Sequence, residues 1–210
     1  MIEIQTKQAP IIGISRLRMG TDGHGIRTLV AFHGCSLSCK YCLNPRCLQP
    51  VSKEMFMSPE EIMNEIQKDE LYYIATEGGI TFGGGEPLRK SNFIVEIMKL
   101  GADKWNIAVE TSLQVGFKDI EMVLPYIDQY IIDIKDMDPL TYKSYTGANN
   151  SIVKRNIKLL IDYGFADKIV CRIPLIPRYN DVQAQEKSKE ELVQMGIRKF
   201  DLFTYNTTRV

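Results

Sequence analysis

Charge of one sign, histidine, tryptophan and long apolar runs are all scarce in this chain. Its 26 basic and 26 acidic side chains cancel, and only two histidines and one tryptophan occur among 210 residues. A chain without charge excess offers no electrostatic footprint for nucleic acid or for an anionic membrane surface. No apolar run approaches the ~20 residues of a bilayer-spanning helix, and the opening MIEIQTKQAP lacks the apolar core of a secretion signal. Five cysteines is an odd number and three of them share one short loop, which argues against a secreted disulfide framework. The cytosol is therefore the expected compartment. There is also no tandem repeat, low-complexity tract or obvious linker. A length of 210 residues then fits one domain, with residues 1–20 as a lead-in and residues 34–50 as its cysteine-bearing loop.

What is present is an alternation of short β-type runs with helical stretches, the pattern of an α/β fold. Strands are expected at Thr28–Phe32, Gly79–Phe82, Trp105–Glu110, Tyr130–Ile134, Lys168–Ile173 and Lys199–Tyr205. The Tyr130–Ile134 run is almost continuously apolar, as in parallel strands buried on both faces. Ser58-Pro59-Glu60-Glu61 reads as a capping box with proline at the first helical position. Ser91 caps a helix through Leu100 that Gly101 stops. A further helix from Ser151 carries Val153, Ile157, Leu160 and Ile161 on one face, and the last covers Glu190–Met195. About six βα units are too few for a closed eight-stranded barrel. The expected architecture is an open, partial (β/α)6 barrel of TIM-like character, with every motif below at the C-terminal end of a strand.

The centre of the chain is TDGHGIRTLVAFHGCSLSCKYCLNP, from Thr21 to Pro45. Cys35, Cys39 and Cys42 lie on a loop leaving the first expected strand, close enough to converge on one metal centre. A structural zinc site takes four protein ligands, so three thiolates point to a four-iron cubane with one iron open to chemistry. Zinc stays open as an alternative, with Cys47 or His33 as its fourth ligand. Cys47 is otherwise expected to do nothing, Cys171 to be core and His24 to be a turn residue.

Cx3Cx2C with Tyr41 before its last cysteine resembles the cluster loop of the radical S-adenosylmethionine enzymes. DGxGIR ahead of it, YCxNP closing it, and the later GGGEP and DIK resemble the glycyl-radical-enzyme activating branch, over roughly Ile11 to Tyr205. The absence of a second cysteine cluster between Cys47 and Gly83 resembles the minimal form without a ferredoxin-like insertion. The resemblance implies a [4Fe-4S] cluster on Cys35, Cys39 and Cys42, with S-adenosylmethionine chelating the open iron. It implies that Tyr41 lies against the adenine, mostly through its backbone, and that Gly83, Gly84, Gly85 and Glu86 receive the methionine amino group. Lys135 then meets the cofactor carboxylate, Asp133 faces the cofactor or a site cation, and Arg172 in CRIPLIP matches the family's strand-five arginine. The bland readings are an ordinary glycine turn and ion pairs at the barrel rim.

Two stretches depart from the family pattern. Glu110-Thr111-Ser112 stands where the family has Asp-Thr-Asn, the segment tied to a monovalent cation. LFTYN, ending at Asn206, stands where the activases have Pro-Tyr-His, and the segment that follows in longer relatives is missing before Val210. Asparagine can hydrogen-bond a cofactor carboxylate but carries no charge, and one side of the mouth is expected to be less covered. The implied partners are a glycyl radical enzyme as protein substrate and a flavodoxin or ferredoxin as electron donor, with neither nucleic acid nor membrane. Two other readings remain: radical modification of a ribosomal peptide or small molecule, and an inactive scaffold holding a cluster or zinc.

Overall fold

Eight strands form one sheet in a computed structural model that describes residues 8–50 and 55–205. In chain order they are β1 (Ala9–Met19), β2 (Ile26–Phe32), β3 (Met55–Met57), β4 (Gly79–Gly84), β5 (Asn106–Thr111), β6 (Gln129–Asp133), β7 (Ile169–Leu175) and β8 (Lys199–Thr204). Strands β2, β4, β5, β6, β7 and β8 pair in that order, all parallel. β1 lies antiparallel on β2, and β3 antiparallel on β1. The sheet ends at β3 and β8 without closing, which is the open partial barrel expected from six βα units.

The parallel strands are buried because helices cover their outer face. Ile80, Phe82, Ile107, Val109 and Ile132 are all fully buried. Against them pack α1 (Pro59–Ile66), α2 (Glu70–Thr76), α3 (Ser91–Lys99), α4 (Phe117–Val123), α5 (Pro139–Thr146), α6 (Ser151–Asp162) and α7 (Val182–Met195). The capping box at the start of α1 is present: the Glu61 amide donates to Ser58 Oγ at 3.2 Å, and the Ser58 amide donates to Glu61 Oε2 at 2.7 Å. On α6, Val153, Ile157 and Leu160 are buried, while Ile161 is half-buried at the edge of the same face. No helix among the described residues is long and apolar enough to cross a membrane.

Four expectations need correcting. The segment read as a lead-in contains β1, eleven residues long, so Thr28–Phe32 is not the first strand. Ser91 is the first residue of α3 rather than its cap, and its hydroxyl donates to the Leu88 carbonyl at 2.7 Å. The last helix starts at Val182, where Asp181 caps it by accepting from the Ala184 amide at 2.8 Å. Helices α2, α4 and α5 were not anticipated. All three are short, at seven or eight residues.

DGxGIR lies at the N-terminal end of β2, not at the C-terminal end of a strand as expected of every motif, and its Gly25 and Arg27 are structural. Gly25 has φ +70°, and a Cβ there would sit 2.5 Å from the Thr76 carbonyl oxygen, so the turn admits only glycine. The His24 carbonyl accepts from Arg27 Nη1 at 3.1 Å, in keeping with a turn residue.

Candidate active site

The cysteine loop leaves β2 and is fastened at both ends by backbone. The Gly85 amide donates to the Phe32 carbonyl at 2.9 Å, the Glu86 amide to the Gly34 carbonyl at 2.8 Å, and the Gly34 amide to the Cys47 carbonyl at 3.1 Å. A Cβ on Gly85 would lie 2.2 Å from the Gly34 oxygen, so GGGEP is glycine-rich because two chain segments touch there. Helix α5 holds the middle of the loop. Its last carbonyls, Tyr145 and Thr146, accept from the Lys40 and Ser38 amides at 3.1 and 3.0 Å, one on each side of Cys39.

Cys35, Cys39, Cys42 and Cys47 line one cavity of about 340 Å³ together with Gly84, Gly85, Glu110, Thr111, Asp133, Lys135 and Arg172. Burial raises the Cys35 thiol above its ordinary pKa and pushes Cys39 up to about 11. Cys42 is lowered because Cys47 shares a hydrogen bond with it, and Cys47 is raised by the same contact. Cys47, expected to be idle, is thus a cavity residue. His33 Nε2 meets the Gln49 carbonyl at 2.9 Å, and His33 is not among the residues that line the cavity. Among the described residues, no three His, Cys, Asp or Glu side chains gather as a single metal ion requires. Three thiols spread around a cavity beside a glycine cradle suit a multi-iron cluster.

Opposite the thiols lies a chain of alternating charge. Lys135 Nζ donates to Asp133 Oδ2 at 3.0 Å, Arg172 Nε to Asp133 Oδ1 at 2.7 Å, and Arg172 Nη1 to Glu110 Oε1 at 2.9 Å. Burial opposes the charge on Lys135, but Asp133 overrides it and holds the ammonium well above its ordinary pKa. Burial would raise Asp133, yet Lys135 and Arg172 outweigh it and bring the carboxyl to about 2. For Glu110 the balance reverses: burial beats the guanidinium and lifts the group to about 7. Lys135 also donates to the Tyr205 hydroxyl at 3.4 Å.

Several expected site residues lie elsewhere. Gly83 is packed against Leu29 and Glu110, outside the cavity lining. Glu86 is 1% exposed and points inward. It accepts from Thr111 Oγ1 and Ser112 Oγ at 2.6 Å each and from the Ser112 amide at 3.0 Å. Burial raises its pKa despite those bonds. The Tyr41 ring packs on Tyr145 and Tyr179, with centroids 6.2 and 5.9 Å away, and is also absent from the lining. Asn206 falls outside the described residues. In the other direction, Arg18, Asp22 and Tyr205 line the cavity and were not anticipated. Arg18 and Asp22 form an ion pair four residues apart; an arginine one helical-turn spacing ahead of the DGxGIR aspartate was the available signal.

Residues 29–187 match the family model described as Radical SAM superfamily. The chain is 30% identical to the (2S)-3-sulfopropanediol dehydratase activating enzyme of Klebsiella oxytoca, over 88% of this chain and 78% of that one. It is also 30% identical to the pyruvate formate-lyase-activating enzyme of Clostridium pasteurianum, over 89% and 78% of the two chains. Among solved structures, Streptococcus suis SuiB bound to precursor peptide SuiA superposes with TM-score 0.64 at 15% identity, over 85% of this chain and 38% of that one. A structure of anSMEcpe with bound AdoMet gives 0.58 at 15% identity, over 81% and 48%. At such identities the two structures speak for the fold.

Proposed function

The chain belongs to the radical SAM superfamily, within its glycyl-radical-enzyme activating branch, and from that premise we propose that it transfers a radical to a backbone glycine of a partner glycyl radical enzyme. The observation that carries this reading is the cavity lining, where three loop thiols face Lys135, Asp133 and Arg172 across a glycine cradle. Cys35, Cys39 and Cys42 would hold a [4Fe-4S] cluster by three corners. Bound there with S-adenosylmethionine, the cluster would supply the reducing electron and the radical chemistry that removes the glycine hydrogen.

The chain's own residues bind and orient. Lys135, 6% exposed and kept protonated by Asp133, offers N–H donors to the methionine carboxylate. Asp133 aims that ammonium, and Arg172 fixes Asp133 from the other side. Gly84 and Gly85 let backbone approach the methionine amino group without a Cβ between them. Tyr41 contributes through its backbone, because its ring is committed to Tyr145 and Tyr179. Glu86 acts one layer behind, fastening the glycine run to Thr111 and Ser112. Asn206 remains a candidate partner for the cofactor carboxylate. The reading takes a flavodoxin or ferredoxin as the external electron donor.

The test is an anoxic incubation of reduced, iron-loaded protein with S-adenosylmethionine and a glycyl radical enzyme encoded nearby. The expected result is 5′-deoxyadenosine together with a glycine-centred EPR doublet. Deoxyadenosine without a doublet from any such partner would sink the glycine assignment and leave the cofactor cleavage standing.

A further inference from the structure

The Glu110-Thr111-Ser112 stretch stands at the position that the resemblance ties to a monovalent cation, and the residues there do not fit one. Three carboxylates line the cavity: Asp22, Glu110 and Asp133. Each is already held by a side-chain cation. Asp22 accepts from Arg18 through both oxygens. Asp133 gives Oδ1 to Arg172 at 2.7 Å and Oδ2 to Lys135 at 3.0 Å. Glu110 gives Oε1 to Arg172 at 2.9 Å, and its Oε2 lies against Gly83, where an added Cβ would be 3.1 Å away. Lys135 and Arg172 already serve Asp133 and Glu110, so an extra ion would have to shed its water beside two resident cations and compete with them for the same carboxyl groups.

We propose that the Arg172 guanidinium is the resident counter-cation of this site, bridging Glu110 and Asp133 so that cofactor binding needs no sodium or potassium. Glu110 is the residue that makes this arrangement. β5 and β7 are not neighbours; β6 lies between them, and Arg172 pairs in register with Asp133 on that middle strand. A guanidinium based on β7 meets the β5 carboxylate across the width of β6, and the extra methylene of glutamate over aspartate extends the carboxylate toward it. The fixed fork of arginine then serves both acids at once, which the point charge of a lysine would not. The inference rests on the cofactor site proposed above and concerns Arg172 as a positioning residue.

The experiment is equilibrium binding of S-adenosylmethionine to anoxic, iron-loaded protein in sodium, potassium or tetramethylammonium chloride at one ionic strength. The expected affinity changes by less than about twofold among the three salts. Glu110→Asp withdraws the carboxylate from Arg172, and its affinity should then drop at least about fivefold in tetramethylammonium relative to potassium. Wild-type binding that collapses in tetramethylammonium would overturn the proposal without needing any variant to fold. A Glu110→Asp protein that binds normally and ignores the salt would overturn the assignment of Glu110. Neither measurement involves a glycyl radical enzyme, so failure here and failure of the glycine transfer are read separately.

Discussion

Arg27 and Arg172 lie at opposite ends of the parallel sheet, and their surroundings differ in kind. Arg27, 1% exposed, donates only to neutral oxygens: Thr81 Oγ1, Asn106 Oδ1, and the carbonyls of His24, Ile80 and Asn106, at 2.5–3.1 Å. Burial lowers its pKa to about 10. Arg172 donates to two carboxylates at the cavity, and although burial opposes its charge, Asp133 and Glu110 raise its pKa. The first guanidinium ties together the strand starts β2, β4 and β5. The second organises charge where a ligand can meet it. Both were visible in the sequence as motif arginines, and only their partners reveal that one is architectural and the other electrostatic.

The comparison breaks most plainly through the cysteines at the Arg172 end. Cys39→Ala should abolish iron and sulfide uptake with the far-UV circular dichroism unchanged, while Cys171→Ala, in the core of β7, keeps the iron. Iron loss from both would remove the distinction between loop and core. Next comes Arg27→Leu, which strands the Ile80 and Asn106 carbonyls and should cost roughly 3–5 kcal/mol in urea unfolding. Arg172→Gln is expected to cost about 1–2 kcal/mol, because its cavity admits solvent. Equal losses would mean that the two ends are alike.

A smaller effect is readable in pH. Burial lifts Glu110 from 4.5 to about 7, so between those values the folded chain keeps a proton that the unfolded chain has lost. Stability should therefore fall as pH rises through that window. Glu110→Gln should flatten this slope by about 1–3 kcal/mol; parallel wild-type and variant curves would show that the carboxyl is not held protonated. The smallest expected change, Ser58→Ala, lies at the α1 capping box away from both arginines. Loss of about 1 kcal/mol in the same unfolding assay would calibrate the others.

Five of the parallel strands, β2, β4, β5, β6 and β7, were legible as short, largely apolar runs, and β8 from its alternation in KFDLFT. β1 was not. APIIGISRLRM mixes proline, glycine and arginine with its apolar residues, and over Arg16–Met19 it is largely exposed, so it carries no clear period. α7 starts well before its apolar pattern does because its first turns, VQAQEKSKE, are nearly all polar; the Asp181 cap is the local mark of its start. At the site, spacing predicted that Asp133 and Lys135 would share a side, and they do. Sequence could not say that Glu86 faces inward or that the Tyr41 ring is taken by two other tyrosines. Those outcomes depend on which surfaces meet across the fold, and no local pattern encodes them.

The hydrogen bonds from Ser38 and Lys40 to the end of α5 bear on transplantation. A helix terminus needs partners for its last carbonyls, and here a cysteine loop supplies two of them. Grafting Cys35 to Cys42 alone onto another α/β scaffold would leave the loop amides of Ser38 and Lys40 without the helix carbonyls that brace them. The smallest portable unit is the loop, the glycine run from Gly83 to Gly85 and the SYTG turn of Ser144 to Gly147, moved as one piece.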